Sequence, residues 1–174
     1  MPVEVRNRES TALTTVVGDL VQNRRTVCCY IPVGTEPGSP AFADAVVEAG
    51  APTVLLPVVA GARALDWAVY TGPGSLGAGP FGLREPTGPR LGAGAIGSAD
   101  LVLLPALAVD HAGVRLGRGA GHYDRSLPLV KPGVEIIAVV RDEEFVPRLP
   151  ADAHDVRVTG VITPDRGLIR LPVA

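Results

Sequence analysis

The sequence predicts an α/β protein with an open, mostly parallel sheet, and three observations carry that expectation. Short apolar, β-branched runs alternate with segments whose apolar residues recur at helical spacing, as βαβ units with right-handed crossovers require. One run, from Asp100 to Leu104, is almost continuously hydrophobic, which suits a central strand buried on both faces. The 174 residues, 47% hydrophobic and 20% charged, suit a single domain, 1–174, able to bury a core without metal or disulfide staples.

The elements follow in chain order. Leu13, Val16, Val17, Leu20 and Val21 share one helical face, and Ser10 is positioned to cap the N-terminus of that helix. Thr26 to Ile31 reads as a buried strand, within which the adjacent Cys28 and Cys29 point to opposite faces and act as small apolar residues of a reducing compartment. Ser39-Pro40 supplies a cap and a first-turn proline for a helix ending near Gly50. Strands are expected at Thr53 to Val58, Leu65 to Tyr70, Asp100 to Leu104, Glu135 to Val140 and Val156 to Ile162, with a Gly- and Pro-rich loop region from Thr71 to Gly97. A net charge of −2 provides no global attraction to nucleic acid, so any anion site must be local. The chain has no apolar stretch of roughly 20 residues and no basic-then-apolar start, so a cytoplasmic protein without a membrane partner is expected.

The densest chemistry lies in Asp110-His-Ala-Gly-Val-Arg-Leu-Gly-Arg-Gly-Ala-Gly-His-Tyr-Asp-Arg125. Its glycines can let backbone N–H groups converge on an anion, and Arg115 and Arg118 offer planar donors suited to phosphate oxygens. Asp124 falls at the start of a following helix, where a carboxylate can hold Mg²⁺ between nucleotide phosphates. The spacing is neither that of a P-loop nor that of a dinucleotide fingerprint, and a solvated glycine loop is the alternative on the bare pattern. Other plain roles stand beside the functional ones. Asp124 can stabilise a helix start, Asp155 can close a turn on its own backbone, Glu36 can be merely exposed, and Trp67 can belong to the core.

The run Leu101-Val-Leu-Leu-Pro-Ala-Leu-Ala-Val-Asp110, followed by Gly113 to Arg125, resembles the signature of the 5-formyltetrahydrofolate cyclo-ligases, with Ala106 in place of a glycine and His122 in place of a tyrosine. Tyr30-Ile-Pro-Val-Gly-Thr-Glu36-Pro, Val54-Leu-Leu-Pro57, Gly82-Leu-Arg-Glu85-Pro86 and Leu149-Pro-Ala-Asp-Ala-His154-Asp155 match further family segments in the same order. The resemblance implies a three-layer α/β sandwich related to the sugar-phosphate isomerase and CoA-transferase-like group. It also implies ATP- and Mg²⁺-dependent conversion of 5-formyltetrahydrofolate to 5,10-methenyltetrahydrofolate, a ligase of one-carbon metabolism; a non-catalytic folate- or nucleotide-binding homologue is the alternative.

By the same resemblance, ATP binds at Arg115, Leu116, Gly117, Arg118, Gly119, Ala120, Gly121, His122 and Tyr123, with Arg6 as an early cation. Folate binds at Glu36, Trp67 and Arg118 to His122, the catalytic groups are Arg118 and Tyr123, and Mg²⁺ is held by Asp124 and Asp155. The start Met1-Pro-Val-Glu-Val-Arg-Asn-Arg is expected to lack the family's usual basic N-terminal helix, leaving Arg6 and Arg8 as its cations. A monomer is expected, with a weak dimer as the alternative.

Overall fold

The structure is a computed structural model that describes residues 1–172; positions 173 and 174, the last two of the expected domain, lie outside the described residues. A long helix, α1 (Val3–Val21), opens the chain and is followed by β1 (Thr26–Cys28), α2 (Phe42–Glu48) and β2 (Thr53–Val58). Next come β3 (Asp66–Val69), the hairpin β4 (Leu76–Ala78) and β5 (Arg84–Pro86), and β6 (Leu101–Pro105). The chain then forms β7 (Ala108–Asp110), β8 (Arg115–Leu116), the short helix α3 (His122–Ser126) and β9 (Glu135–Val139). It ends with β10 (Phe145–Val146), β11 (Gly160–Thr163) and β12 (Gly167–Arg170).

The main sheet has the order β12-β11-β9-β6-β1-β2-β3. Its central strands are parallel, with β3 and β12 added antiparallel at the two edges. Alternation within each strand divides the core in two. Val27, Cys29, Leu56, Leu101, Leu103, Ile137 and Val139 pack under α1 and α2. Cys28, Leu55, Val102, Leu104, Ile136 and Ala138 face the other way, toward Trp67, Ile96, Leu127 and Phe145. Each large side chain buried in this way contributes about 1.5–3 kcal/mol. The second covering layer consists of α3, short 3-10 turns at Ala93–Ser98 and Leu127–Leu129, and the small β10-β7-β8 sheet.

The adjacent cysteines therefore lie on opposite faces of the sheet, both free and fully buried. Burial pushes both thiols up, Cys29 to about 12.

Several boundaries differ from the sequence expectation. Helix α1 begins at Val3 behind Pro2, and Ser10 lies inside it rather than at its cap. No glycine or proline interrupts residues 3–10, and Thr11 and Thr15 return their hydroxyls to carbonyls one turn back, so these polar residues continue the helix. Ser39 does turn the chain into α2, accepting the Ala41 N–H on its hydroxyl and the Phe42 N–H on its carbonyl, while Gly50 ends the helix at φ +101°. Strand β1 stops three residues earlier than expected, and the backbone of the Val156–Thr159 segment joins its neighbours through Val158, which donates to Gly113, and Thr159, which bonds Ile136 and Leu171, before β11 begins. The loop region from Thr71 to Gly97 contains the β4–β5 hairpin, whose three-residue strands fall below what periodicity can detect.

Asp110 ties the small sheet together. Its buried carboxylate accepts N–H groups from Ala112 at 2.9 Å, Val114 at 2.8 Å and Leu149 at 2.9 Å. Between the first two of these donors, Gly113 turns at φ +88° with Val158's carbonyl oxygen where a Cβ would sit. Burial pushes the Asp110 carboxyl up, but the three N–H donors and Arg157 outweigh it and hold the group below its usual value.

A carboxyl depressed on folding stabilises the protein above its unfolded pKa, and that contribution is lost as pH falls through the folded value. Asp110→Asn should therefore cost about 2 kcal/mol at neutral pH, where it leaves buried N–H groups poorly paired. The gap from wild type should shrink on acidification below the ordinary carboxylate range, as urea unfolding at the two pH values would measure.

Candidate active site

A cavity of about 650 Å³ opens where the loops after β1, β2 and β6 leave the sheet. This is the carboxyl edge of the parallel strands, where open α/β sheets collect ligands. The whole run from Arg115 to Asp124 lines it, as do Glu36 and Asp155. Residues separated by more than a hundred positions thus converge on one space.

The glycine loop is shaped by a few specific demands. Gly121 takes a left-handed conformation, φ +73°, immediately before α3, a geometry that turns the chain into the helix and would strain a side-chain-bearing residue. Gly117 leaves room for Arg115, whose Nη1 would lie 2.7 Å from a Cβ there. Inside α3, the Ser126 hydroxyl donates to the His122 carbonyl at 2.7 Å and accepts the Leu65 N–H at 2.9 Å, fastening the helix to the start of β3. His122 lines the cavity with Nδ1 3.4 Å from the Arg63 carbonyl.

Two ion pairs organise the charges. Arg115 donates to Asp124 at 2.8 Å and also lies 5.6 Å from the centre of the Tyr123 ring. Arg118 reaches across to Glu36 at 3.3 Å. The Glu36 side chain is only 10% exposed, and its other oxygen accepts the Val33 N–H at 2.9 Å. Burial pushes its carboxyl above the usual value, against the opposing pull of the Val33 N–H and the Arg118 guanidinium. Burial also pushes the Tyr123 phenol up, which keeps it neutral and able to donate.

Asp124 and Asp155 line the same cavity from separate loops. The Asp124 side chain is 62% exposed, and Asp155 closes a turn by accepting the Asp152 N–H at 2.8 Å. Among the described residues, no group of three or more His, Cys, Asp or Glu side chains could hold a metal by itself. Any cation here would draw most of its ligands from phosphate and water, as Mg²⁺ at nucleotide sites does.

Two expected residues lie elsewhere. Trp67 is 0% exposed, packed in the core on β3 below the cavity, so its ring cannot stack on a ligand; its apolar bulk was drawn inward by the Leu55–Val102–Leu104 face of the sheet. Arg6 projects into solvent from α1 and does not line the cavity, because the helix directs its packed face toward the sheet.

Conversely, sequence reasoning missed Phe81, which lines the cavity rim 86% exposed and in a left-handed conformation at the tip of the β4–β5 hairpin. Its signal was an aromatic residue beside Gly82, immediately ahead of the matched Glu85-Pro86 segment. Glu85 itself accepts the Val59 N–H at 2.8 Å and serves the loop after β2.

The model of the 5-formyltetrahydrofolate cyclo-ligase family matches residues 1–164. A curated 5-formyltetrahydrofolate cyclo-ligase of Mycolicibacterium smegmatis is 50% identical, the match covering 98% of this chain and 90% of that protein. The structure of the Aquifex aeolicus 5,10-methenyltetrahydrofolate synthetase superposes with a TM-score of 0.75 at 28% identity, over 100% of this chain and 87% of the other. A 5,10-methenyltetrahydrofolate synthetase from Mycoplasma pneumoniae, 14% identical, shares the fold with a TM-score of 0.71 over 92% of this chain and 88% of its own.

The Arg118–Glu36 pair yields a direct test. Arg118→Ala should raise the Glu36 pKa further, since the guanidinium is one of the groups holding it down. Carboxyl titration followed by carbon NMR would detect the shift, and an unmoved Glu36 would show that the pair does not form in solution.

Proposed function

The chain belongs to the 5-formyltetrahydrofolate cyclo-ligase family, and on that premise we propose that the cavity between Glu36 and the Arg115–Asp124 loop is where it closes the folate ring. It is an ATP-dependent ligase that converts 5-formyltetrahydrofolate to 5,10-methenyltetrahydrofolate, with ADP and phosphate as the other products. The observation that carries the assignment of the site is the 3.3 Å contact between Arg118 and Glu36, which brings an anion-binding loop against a largely buried acceptor.

The formyl oxygen attacks the γ-phosphorus of ATP and ADP departs. N10 then attacks the activated formyl carbon and gives up its proton to water, and the carbon–oxygen bond breaks to release phosphate. Such chemistry asks the protein for alignment and charge neutralisation rather than for a nucleophile of its own.

Arg118 lies in the glycine loop beside Glu36, suited to meeting the transferring phosphoryl group, and neutral Tyr123 can donate a hydrogen bond to an oxygen that gains charge. The amides from Leu116 to His122 cradle the phosphates, with Arg115 as a second cation. Glu36, an acceptor only, suits the N–H edge of the reduced pterin, and Phe81 offers an exposed ring on the folate side. Asp124 and Asp155 suit Mg²⁺ as oxygen donors on two loops of one cavity; when bound, the ion supplies neutralisation of the nucleotide phosphates.

The reading takes residues 1–174 as one domain acting in the cytoplasm as a monomer, with folate and ATP as its partners. The free, buried cysteines support a reducing compartment. Among the described residues, no helix is long and apolar enough to cross a membrane.

Mixing the purified protein with 5-formyltetrahydrofolate, Mg²⁺ and ATP should produce the near-ultraviolet absorbance of the methenyl product; folate binding without an ATP-dependent product would overturn the reading. Asp124→Ala should reduce turnover by at least about a hundredfold at unchanged circular dichroism. Wild-type turnover in that variant would refute the metal assignment. Glu36→Ala should raise the KM for folate by about tenfold or more while sparing that for ATP. A defect confined to ATP would reverse its role.

A further inference from the structure

Tyr30 opens the segment that ends at Glu36, and it stands at the junction of core and cavity. Its ring packs 5.3 Å from that of Phe42 within the α1–α2 core, while the residue also lines the cavity at the end of β1. The side chain is 3% exposed, and its hydroxyl has no hydrogen-bond partner among the described residues.

Buried hydroxyls without partners are rare and unfavourable, whereas phenylalanine would fill the same apolar space at no such cost. Among the described residues, Trp67 is the other side chain with an unpaired buried polar atom, but it lies in the core and does not line the cavity. Tyr30 differs because the residue that carries this enclosed, unpaired hydroxyl also lines the cavity.

Its surroundings narrow the choice of ligand atom. Cys29, Glu36, Tyr123 and Glu144 lie within electrostatic range of the hydroxyl, which burial keeps protonated and hence a donor; of these, Glu36 and Tyr123 line the cavity. A reduced pterin presents the exocyclic amine and the N3–H as donors, and beside them the C4 carbonyl as an acceptor. A carboxylate alone matches only the first two.

We propose that the Tyr30 hydroxyl is a specificity-determining donor to the C4 carbonyl of the pterin, completing beside Glu36 a pattern that reads the whole polar edge of the ring. This rests on the placement of folate against Glu36 proposed above. The contact orients the ring and so presents the formyl group to the nucleotide, and it gives the site a means of rejecting pteridines that carry an amine at C4. An amine there would set donor against donor, and leaving buried polar groups unpaired discriminates strongly.

Tyr30→Phe, which removes a single oxygen, tests this in the full-length protein. The expected result is a rise of about tenfold in KM for 5-formyltetrahydrofolate, with kcat and the KM for ATP held within about twofold and a melting temperature that is unchanged or higher. In equilibrium binding, wild type should prefer the natural compound to its 4-amino analogue, and the variant should lose most of that preference. An unaltered KM and unaltered discrimination would overturn the proposal. So would a lowered melting temperature with equal losses for both compounds, since the hydroxyl would then be serving the fold. Glu36→Gln measured in parallel separates the two levels of inference. If it leaves folate binding unmoved, the site assignment falls and the Tyr30 role with it; if it weakens binding while Tyr30→Phe does not, the Tyr30 role alone falls.

Discussion

One carboxylate holds the two halves of the active site in register. Through Ala112 and Val114, Asp110 fixes the hairpin from which Arg115 and the glycine loop emerge; through Leu149 it holds the segment that leads on to Asp155. The strands of the main sheet could be arranged as they are without this clamp. The loops at their carboxyl edge could not, because β7, β8 and β10 are two or three residues long and contribute little cohesion of their own.

The charges within the cavity are ordered differently. Arg115 pairs with Asp124 and Arg118 with Glu36, so each cation expected to meet phosphate already rests on a carboxylate. Partly exposed pairs of this kind contribute about 1 kcal/mol or less. They set the geometry of the site at little cost and are readily exchanged for stronger partners; Arg115 is already largely withdrawn from water, whereas Arg118 stays half-exposed. Fixing these long side chains beforehand also spares part of the ordering entropy of binding.

How much of this was legible in the sequence follows from the distance over which each signal acts. The buried strands at Thr53–Val58 and Leu101–Pro105 are visible because burial on both faces demands an unbroken apolar run. The opposed cysteines follow from simple alternation. The glycine loop is readable because its backbone demands are local, and Asp124 falls in the first turn of α3 as expected.

What escaped depends on contacts between distant segments. The start of α1 was misplaced because Ser10 is as acceptable inside a packed helix as at its cap. The resemblance implies a folate contact for Trp67, whereas its position is decided by the apolar face opposite it in the sheet. Tyr30 was passed over for the converse reason: in sequence it is one more aromatic residue ending a strand, and only the enclosure of its hydroxyl distinguishes it.

The split cysteine pair has a further consequence, one of chemical durability. Apart from Met1, these two are the only sulfur-bearing residues of the chain, and both are sealed beneath opposite layers with their thiols held protonated. Oxidants attack thiolates that they can reach, and this fold denies them both the anion and the access. Peroxide therefore finds no reachable thiolate in the interior of the folded enzyme.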